Sequence, residues 1–159
     1  MFDMNMLWEK FVYVSLRKGL RNNAGDCAIH QQPHKLFWRA DSGRQTRIEP
    51  DILIKHGDVS YILDTKWKIM KDGKPSVEDL RQMYVYHDYY TASKTALVYP
   101  GETHQKTGGN YIHRDTKQLT DKECSILQLT TEKNLTEWQK SIYREFESWV
   151  GTSKMRDNV

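Results

Sequence analysis

The sequence has few cysteines and no long apolar segment, and both absences narrow what the protein can be. Only two of its 159 residues are cysteines, Cys27 and Cys124, and they are far apart and belong to no C-x-x-C pair. We therefore expect two ordinary buried or half-buried thiols rather than a disulfide or a zinc site. No apolar run approaches the ~20 residues of a membrane span. The first 20 residues are also too charged and aromatic for a signal peptide, so we expect a cytoplasmic protein.

Nucleotide-binding and histidine metal motifs are absent as well. The polar, glycine-containing segment 101–109 lacks the pattern G-x-x-x-x-G-K-[S/T], so the chain is not expected to bind GTP itself. The six histidines show no metal-ligand spacing. The composition is that of an ordinary globular domain, with 38% hydrophobic and 28% charged residues. A net charge of +3 permits binding to a polyanion without demonstrating it.

Hydrophobic periodicity predicts three helices and several strands. The helices are expected over residues 5–20, 76–90 and 135–149, and the strands over 27–31, 36–39, 52–54, 59–63, 95–99, 111–114 and 125–130. A polar loop is expected over 102–110. This order predicts an α/β fold with a central mixed β-sheet flanked by helices. We expect one domain over residues 1–150 and a frayed C-terminal tail over 151–159.

The second predicted helix begins with a capping signal and contains two sets of side chains. Ser76 and Asp79 have the spacing of a capping box with Asp in place of Glu. Its predicted apolar stripe consists of Val77, Leu80, Tyr84 and His87. Gln82 and Tyr86 are one turn apart and share a different face.

The centre of the sequence is a predicted β-hairpin over residues 48–68. Two apolar, β-branched runs at 52–54 and 59–63 flank the turn sequence His-Gly-Asp at 56–58. Asp51 opens the first strand, where an apolar residue would be expected. The end of the second strand is also charged, and its residues carry the chemistry considered next.

Asp64 and Lys66 close the second strand and should point to the same face, with Thr65 pointing away, because side chains alternate along a strand. Across a hairpin, Asp51 and Asp64 can meet at one end of the sheet. Two carboxylates in a partly open site suit Mg²⁺, which would polarise a phosphodiester and activate a water. Lys66 would orient that water and stabilise the transition state. The alternative is structural: Asp51 and Lys66 form a cross-strand ion pair and Asp64 is a strand-end carboxylate.

The first helix adds a further carboxylate. Glu9 falls in the same helical sector as Tyr13, Leu16 and Leu20. It is therefore either a surface group at the edge of the apolar stripe or a group directed inward for a purpose. The helix alone does not decide between these interpretations.

In combination these motifs resemble the PD-(D/E)XK nuclease superfamily and, more narrowly, the McrC family. McrC is the endonuclease subunit of the 5-methylcytosine-specific, GTP-dependent McrBC restriction system, which acts in phage defence. The segments that carry the resemblance are residues 5–12 (NMLWEKFV), 50–52 (PDI), 63–68 (LDTKWK), 82–86 (QMYVY) and 97–100 (LVYP). The similarity runs from Met4 to about Val150.

The resemblance implies a role for each residue of the predicted site. Asp51, Asp64 and the backbone carbonyl of Thr65 would be metal ligands for Mg²⁺, with Mn²⁺ as a possible substitute. Lys66 would be the catalytic lysine. The remaining groups are Gln82 and Tyr86, which would line the site and contact DNA or support the ligands, and Glu9, which would be a supporting or additional metal-site acid.

Partners follow from the resemblance too. An McrB-type GTPase motor is the expected partner if the chain is part of a full system. McrC-type subunits carry an N-terminal region that engages this motor, whereas this sequence begins almost at the nuclease helix. An excised domain, a truncated homologue and a stand-alone relative are all compatible with that start.

DNA contacts are expected around the hairpin, from Lys68, Arg47 and Lys71. Lys68 is the preferred residue because it would follow Lys66 on the same strand face. The alternative for each is an ordinary solvated basic surface. For the whole chain, the alternative to a nuclease is a catalytically silent DNA- or partner-binding module on the same fold.

Overall fold

A seven-stranded mixed sheet is the centre of the fold, in a computed structural model that describes residues 3–151. The helices are α1 (Met4–Asn23), α2 (Val77–Tyr90) and α3 (Leu135–Val150). The strands are β1 (Cys27–Gln31), β2 (Lys35–Arg39), β3 (Gln45–Ile48), β4 (Ile52–His56), β5 (Val59–Thr65), β6 (Lys94–Gly101), β7 (Gln105–Thr107), β8 (Asn110–Ile112) and β9 (Leu119–Thr130).

The strand order is β1-β4-β5-β6-β9-β7, and β8 also pairs with β9. The neighbours β5, β6 and β9 run parallel, while the β1–β4, β4–β5 and β9–β7 pairs are antiparallel. Strands β2 and β3 form a separate two-stranded antiparallel sheet, called the ribbon below. The predicted α/β fold with a central mixed sheet is therefore confirmed.

Helices cover both faces of the sheet. Ile52, Ile54 and Leu63 belong to the core cluster beneath α1 and α3, whereas Leu53 and Ile62 belong to the cluster beneath α2. This alternation explains why the central strands read as continuous apolar runs, since both of their faces are buried. The charged ends of β4 and β5 therefore lie next to the core rather than on an open surface.

Helix α1 is fixed against the sheet and against α3. Its N-cap, Asp3, accepts backbone hydrogen bonds at the start of the first turn. The Trp8 indole N–H donates to the Val98 carbonyl at 3.2 Å, which ties α1 to β6. A Cβ at Gly19 would lie 2.2 Å from the Tyr143 ring, so the close approach of α1 and α3 requires glycine there.

The predicted apolar stripe of α2 is wrong for two of its four residues, whereas His87 is buried and Leu80 packs against the core. Val77 is 63% exposed and Tyr84 is 42% exposed. The side chains that α2 buries are Asp79, Met83, Tyr86, His87 and Tyr90. Tyrosines occur on several faces of this helix, so periodicity alone could not decide which face packs on the sheet.

Short polar strands were not predicted. Strands β3 (Gln45–Ile48) and β7 (Gln105–Thr107) have no apolar alternation. The predicted loop over 102–110 therefore contains β7 and the start of β8. Strand β6 continues beyond the predicted 95–99, since Pro100 pairs with Leu129 in the parallel ladder to β9.

The remaining features to compare with the sequence are the two cysteines, the lengths of the helices and the end of α3. Cys27 is half-buried, Cys124 is buried and neither is in a disulfide, as predicted. No helix within residues 3–151 is long and apolar enough to span a bilayer. Gly151 caps α3, and the rest of the predicted tail lies outside the described residues.

Candidate active site

The β4–β5 hairpin brings two aspartates side by side. Its two-residue turn places Gly57 at φ +59°, a conformation that favours glycine, and sets the register in which Ile52 faces Leu63. One step beyond that pair, Asp51 lies across from Asp64. The two carboxylates thus meet at the end of the hairpin opposite its turn, as the sequence predicted.

Asp51 is held by the strand that follows it. Its Oδ2 accepts hydrogen bonds from the Thr65 backbone N–H at 2.6 Å and from the Thr65 hydroxyl at 2.7 Å. Burial raises the pKa of Asp51, the Thr65 hydrogen bonds oppose that rise, and the negative charge of Glu9 adds to it. Thr65 therefore positions this carboxylate.

Asp64 is the more deeply buried of the pair, with 3% of its surface exposed. Burial and the charge of Asp51 raise its pKa to about 6, against the opposing effect of Lys66. Two carboxylates that both resist ionisation would be relieved by a cation between them.

Lys66 lies directly beside Asp64. Its Nζ is 2.6 Å from Asp64 Oδ2, 3.7 Å from Asp79 Oδ1, and donates to Gln82 Oε1 at 3.0 Å. Its backbone N–H donates to the Val98 carbonyl, which continues the link to β6 beyond the end of β5. Burial lowers the pKa of Lys66, but the surrounding carboxylates outweigh it and the net shift is upward. The ammonium is thus protonated and fixed.

The structural interpretation of these residues required a cross-strand ion pair between Asp51 and Lys66. The structure does not contain this ion pair. Instead, Lys66 pairs with Asp64, and the hydrogen-bond partner of Asp51 is Thr65. The charged set is a cluster around Asp64 rather than a simple cross-strand pair.

A side-chain relay on α2 connects Lys66 to the segment that precedes Asp51. Gln82 Nε2 donates to the Tyr86 hydroxyl at 3.0 Å, and that hydroxyl donates to the Glu49 carbonyl at 3.1 Å. Burial, followed by the charge of Asp64, raises the pKa of Tyr86, so the phenol stays protonated and able to donate. The predicted pair Gln82 and Tyr86 therefore fixes both sides of the site.

Glu9 points inward from α1. It is largely buried, and its Oε1 accepts hydrogen bonds from Gln32 at 2.9 Å and Gln31 at 3.3 Å. Burial raises its pKa, the two glutamines oppose this, and the charges of Asp64 and Glu49 add to the rise. The carboxylate thus borders the site at a distance where it acts electrostatically on Asp64.

Sequence reasoning missed Asp79 as a site residue. It was interpreted as part of the capping box, and its N–H does donate to Ser76 Oγ at 3.1 Å. Its buried carboxylate also lies 2.6 Å from Lys68 Nζ and within 4 Å of Lys66. Burial would raise the pKa of Asp79, but the Lys68 hydrogen bond and the charge of Lys66 make the net shift downward. The only feature of the sequence that could have indicated a role in the site is the position of this acidic residue, one helical turn before Gln82.

The three predicted DNA-binding residues lie in three different segments of the structure. Lys68 lies near the site through its ion pair, but not by strand alternation, because β5 ends at Thr65. Arg47 is on the ribbon, with Nη1 3.2 Å from His34 Nε2. Lys71 is exposed and pairs with Lys74 in an isolated β-bridge.

The donors at this site suit a hard divalent cation. Within residues 3–151 no three His, Cys, Asp or Glu side chains are grouped closely enough to hold one ion. A metal would therefore rest on Asp51 and Asp64, with backbone oxygen such as that of Thr65 and water completing its coordination. Mg²⁺ is usually bound in this way, by one or two carboxylates and several waters.

Sequence comparison adds a family to this geometry. The profile of the McrBC 5-methylcytosine restriction system component family matches residues 1–100. The matched part includes every residue of the predicted catalytic set. No curated protein has significant sequence similarity to the chain.

Structural comparison supports the fold. A chain of the Thermococcus gammatolerans complex of McrB AAA+ hexamers with bound McrC matches with a TM-score of 0.61 and 18% identity, over 92% of this chain and 33% of that one. This chain thus spans about a third of the length of the chain it matches. The small subunit of the heterodimeric restriction endonuclease R.BspD6I matches over 96% of this chain and 81% of its own, but at 12% identity and a TM-score of 0.42 it supports no conclusion.

Proposed function

The chain belongs to the family of McrBC 5-methylcytosine restriction system components, and on that premise we propose that it is a magnesium-dependent DNA endonuclease domain. It would be an McrC-like cleavage subunit that hydrolyses phosphodiester bonds. The observation that best supports this proposal is the meeting of Asp51 and Asp64 with Lys66 Nζ fixed 2.6 Å from Asp64. Hydrolysis of a nucleic-acid backbone is a reaction that needs such a set.

Each residue has a definite task in this proposal. Asp51 and Asp64 would hold Mg²⁺, which when bound supplies Lewis-acid polarisation of the phosphate and a more acidic water. Lys66 would orient the attacking water and stabilise the charge that develops on the phosphoryl oxygens. Gln82 keeps the ammonium in place through its hydrogen bond, and Tyr86 keeps Gln82 in place.

We also propose a partner. The similar chain comes from a complex in which McrC is bound to McrB AAA+ hexamers. An McrB-type motor that delivers DNA would account for a nuclease domain without a nucleotide-binding motif of its own. By the family resemblance, recognition of 5-methylcytosine would belong to that motor.

Metal-dependent nicking of a closed circular plasmid tests the cleavage proposal. We expect wild type to convert supercoiled DNA to the open circle in Mg²⁺ or Mn²⁺ but not in EDTA, and Asp64→Asn to lose this activity. Asp58→Asn is the matched control, because Asp58 is exposed at the turn of the same hairpin, at the end opposite the site. A closed circle also separates an endonuclease from an enzyme that needs free ends.

Two results would contradict the proposal. One is the absence of metal-dependent nicking by wild type while it still binds the plasmid, which would indicate the silent binding module. The other is nicking by Asp64→Asn at the wild-type rate, which would locate the activity elsewhere.

A further inference from the structure

The ribbon formed by β2 and β3 is exposed along almost its whole length. Every residue of β2 is exposed, as are three of the four residues of β3. Leu36 is 51% exposed and Trp38 is 59% exposed. An isolated two-stranded sheet is only marginally stable in water, and exposed large apolar groups mark interaction sites. A ligand from outside would account for both features.

The charge on the ribbon favours a polyanion. Its segment, residues 33–48, carries Lys35, Arg39, Arg44 and Arg47 against a single acid, Asp41. Within residues 3–151, none of the three arginines forms an ion pair with a carboxylate. Aromatic and apolar side chains lie between these cations. DNA offers both kinds of partner, since its phosphates are charged and the thymine methyl groups in its major groove make apolar contacts.

The base of the ribbon is fixed while one of its faces is left open. The Tyr90 hydroxyl on α2 contacts the Pro33 carbonyl at 2.6 Å and the Ile48 carbonyl at 3.2 Å. On one face the Phe37 ring packs edge-on against Tyr89, with ring centroids 5.2 Å apart. The pairing register shifts between Leu36 and Trp38, a bulge of the kind that redirects neighbouring side chains.

The ribbon is also close to the candidate active site along the chain. Ile48, its last residue, is three positions before Asp51, and Arg47 is four positions before it. Four residues span at most about 14 Å. That length corresponds to roughly four base pairs of duplex, at ~3.4 Å each. A duplex with a phosphate at Asp51 and Asp64 would therefore pass the ribbon within half a helical turn.

We propose that the ribbon is a DNA-binding arm that enters the major groove next to the cleavage site. Arg44 and Arg47 contact phosphates on the groove's edges, and Trp38 packs against bases within it. The major groove, about 12 Å wide, accepts a two-stranded ribbon. This inference rests on the proposed function for its ligand, duplex DNA, but it concerns binding and not hydrolysis.

Binding of a labelled 30-base-pair duplex, measured by fluorescence anisotropy in EDTA at several salt concentrations, tests the arm. Arg44→Gln and Arg47→Gln should each raise Kd about 5-fold and reduce the slope of log K against log salt by about 0.9. Trp38→Ala should raise Kd roughly 10-fold with the slope unchanged, because it removes an apolar contact with base edges and no charge. Arg144→Gln, an exposed arginine on α3, is the matched control and should bind like wild type.

The unfolding temperature and a conservative variant distinguish the loss of a DNA contact from misfolding. Arg44 is exposed at the ribbon's turn and its side chain supports no described contact, so Arg44→Gln should keep the wild-type unfolding temperature. Trp38→Phe keeps an aromatic ring and should recover most of the affinity lost in Trp38→Ala. Its failure to do so would contradict packing of this side chain against the bases.

The outcomes separate the two proposals. If wild type binds and nicks DNA but all arm variants match it in Kd and salt slope, the arm is overturned and the nuclease stands. If wild type does not bind the duplex even at low salt, both fall. If Trp38→Ala changes the oligomeric state and leaves DNA affinity unaltered, the ribbon is a protein interface and the arm is again overturned.

Discussion

Two regions of this chain are rich in positive charge, and they use it in opposite ways. At the end of the β4–β5 hairpin, the ammonium groups of Lys66 and Lys68 lie 2.6 Å from the carboxylates of Asp64 and Asp79. On the ribbon, no arginine has a described carboxylate partner. The first region has its charges fixed by the fold before any ligand arrives. The second has arginines whose charge no carboxylate within residues 3–151 pairs with.

This contrast separates the residues expected to act in cleavage from those expected to act in DNA binding. Fixed, partly buried charges are the kind that stabilise a transition state, because they need no reorganisation when the reaction occurs. Exposed, unpaired cations contribute to affinity in proportion to the counterions that they release. Changes in the hairpin region should therefore alter cleavage with little effect on binding, and changes in the ribbon should do the reverse.

The largest effect on cleavage without an effect on binding is expected when the charge of Lys66 is removed. Lys66→Met keeps the length of the side chain but loses the ammonium, and should reduce the nicking rate by about 10²- to 10³-fold or more. DNA affinity in EDTA should stay within about 3-fold of wild type. Lys74→Met, an exposed lysine beyond the site, is the control. Unchanged nicking in Lys66→Met would remove this residue from the mechanism.

Acidity offers a second test of the hairpin region. A metal needs the ionised form of Asp64, whose pKa is about 6, so nicking at subsaturating Mg²⁺ should rise with pH through about 6. At pH 5 it should be about 10-fold slower than at pH 7.5. More Mg²⁺ should move the midpoint to lower pH. A flat profile between pH 5 and 7.5 would contradict the role of this carboxylate.

The raised pKa of Asp64 also predicts how stability depends on pH. The free energy of unfolding should fall as pH rises, whereas the nicking rate should increase. The folded chain holds the Asp64 proton more tightly than the unfolded chain, for which the ordinary value of 3.8 applies. The free energy of unfolding without metal should therefore fall as pH rises from about 4 to about 6, by at most about 3 kcal/mol. Mg²⁺ should offset this loss. Thermal unfolding of wild type and Asp64→Asn across this range measures the effect, and the variant should lack both the fall and the Mg²⁺ response.

The support of Lys66 by α2 should matter less than Lys66 itself. Gln82→Leu removes the hydrogen bond that holds the ammonium and should slow nicking about 5- to 10-fold at an unaltered unfolding temperature. Glu78→Gln, exposed in the first turn of the same helix, is the control. A positioning role predicts that kcat falls while KM for DNA stays constant, so an effect on KM alone would point to a DNA contact instead.

The smallest effect is expected for Lys68, because it is exposed like the ribbon arginines but paired with a carboxylate like Lys66. Its amine is paired with Asp79 but its side chain is 47% exposed. Lys68→Gln should weaken binding of the labelled duplex about 2- to 3-fold, less than either ribbon arginine. A loss of affinity equal to that of Arg47→Gln would erase the distinction between paired and unpaired cations.

The features that could be predicted from the sequence depend on local patterns, and those that could not depend on contacts between distant residues. The hairpin and the meeting of Asp51 with Asp64 depend on a two-residue turn and on strand alternation, which are local and readable. The inward face of α2 was only partly readable, because apolar and aromatic side chains also occur outside it, as at Val77 and Tyr84. Asp79 was missed because its capping role is local and its contact with the two lysines is not. The ribbon was half predicted, since the polar strand β3 has no apolar pattern.

The proposed mechanism requires that Asp51 and Asp64 together hold a divalent metal. Anomalous diffraction from a crystal soaked in Mn²⁺ tests it most directly. We expect a strong peak about 2 Å from an oxygen of each carboxylate, and its disappearance in a crystal of Asp64→Asn. A fully soaked wild-type crystal with no peak between these two residues would contradict the account.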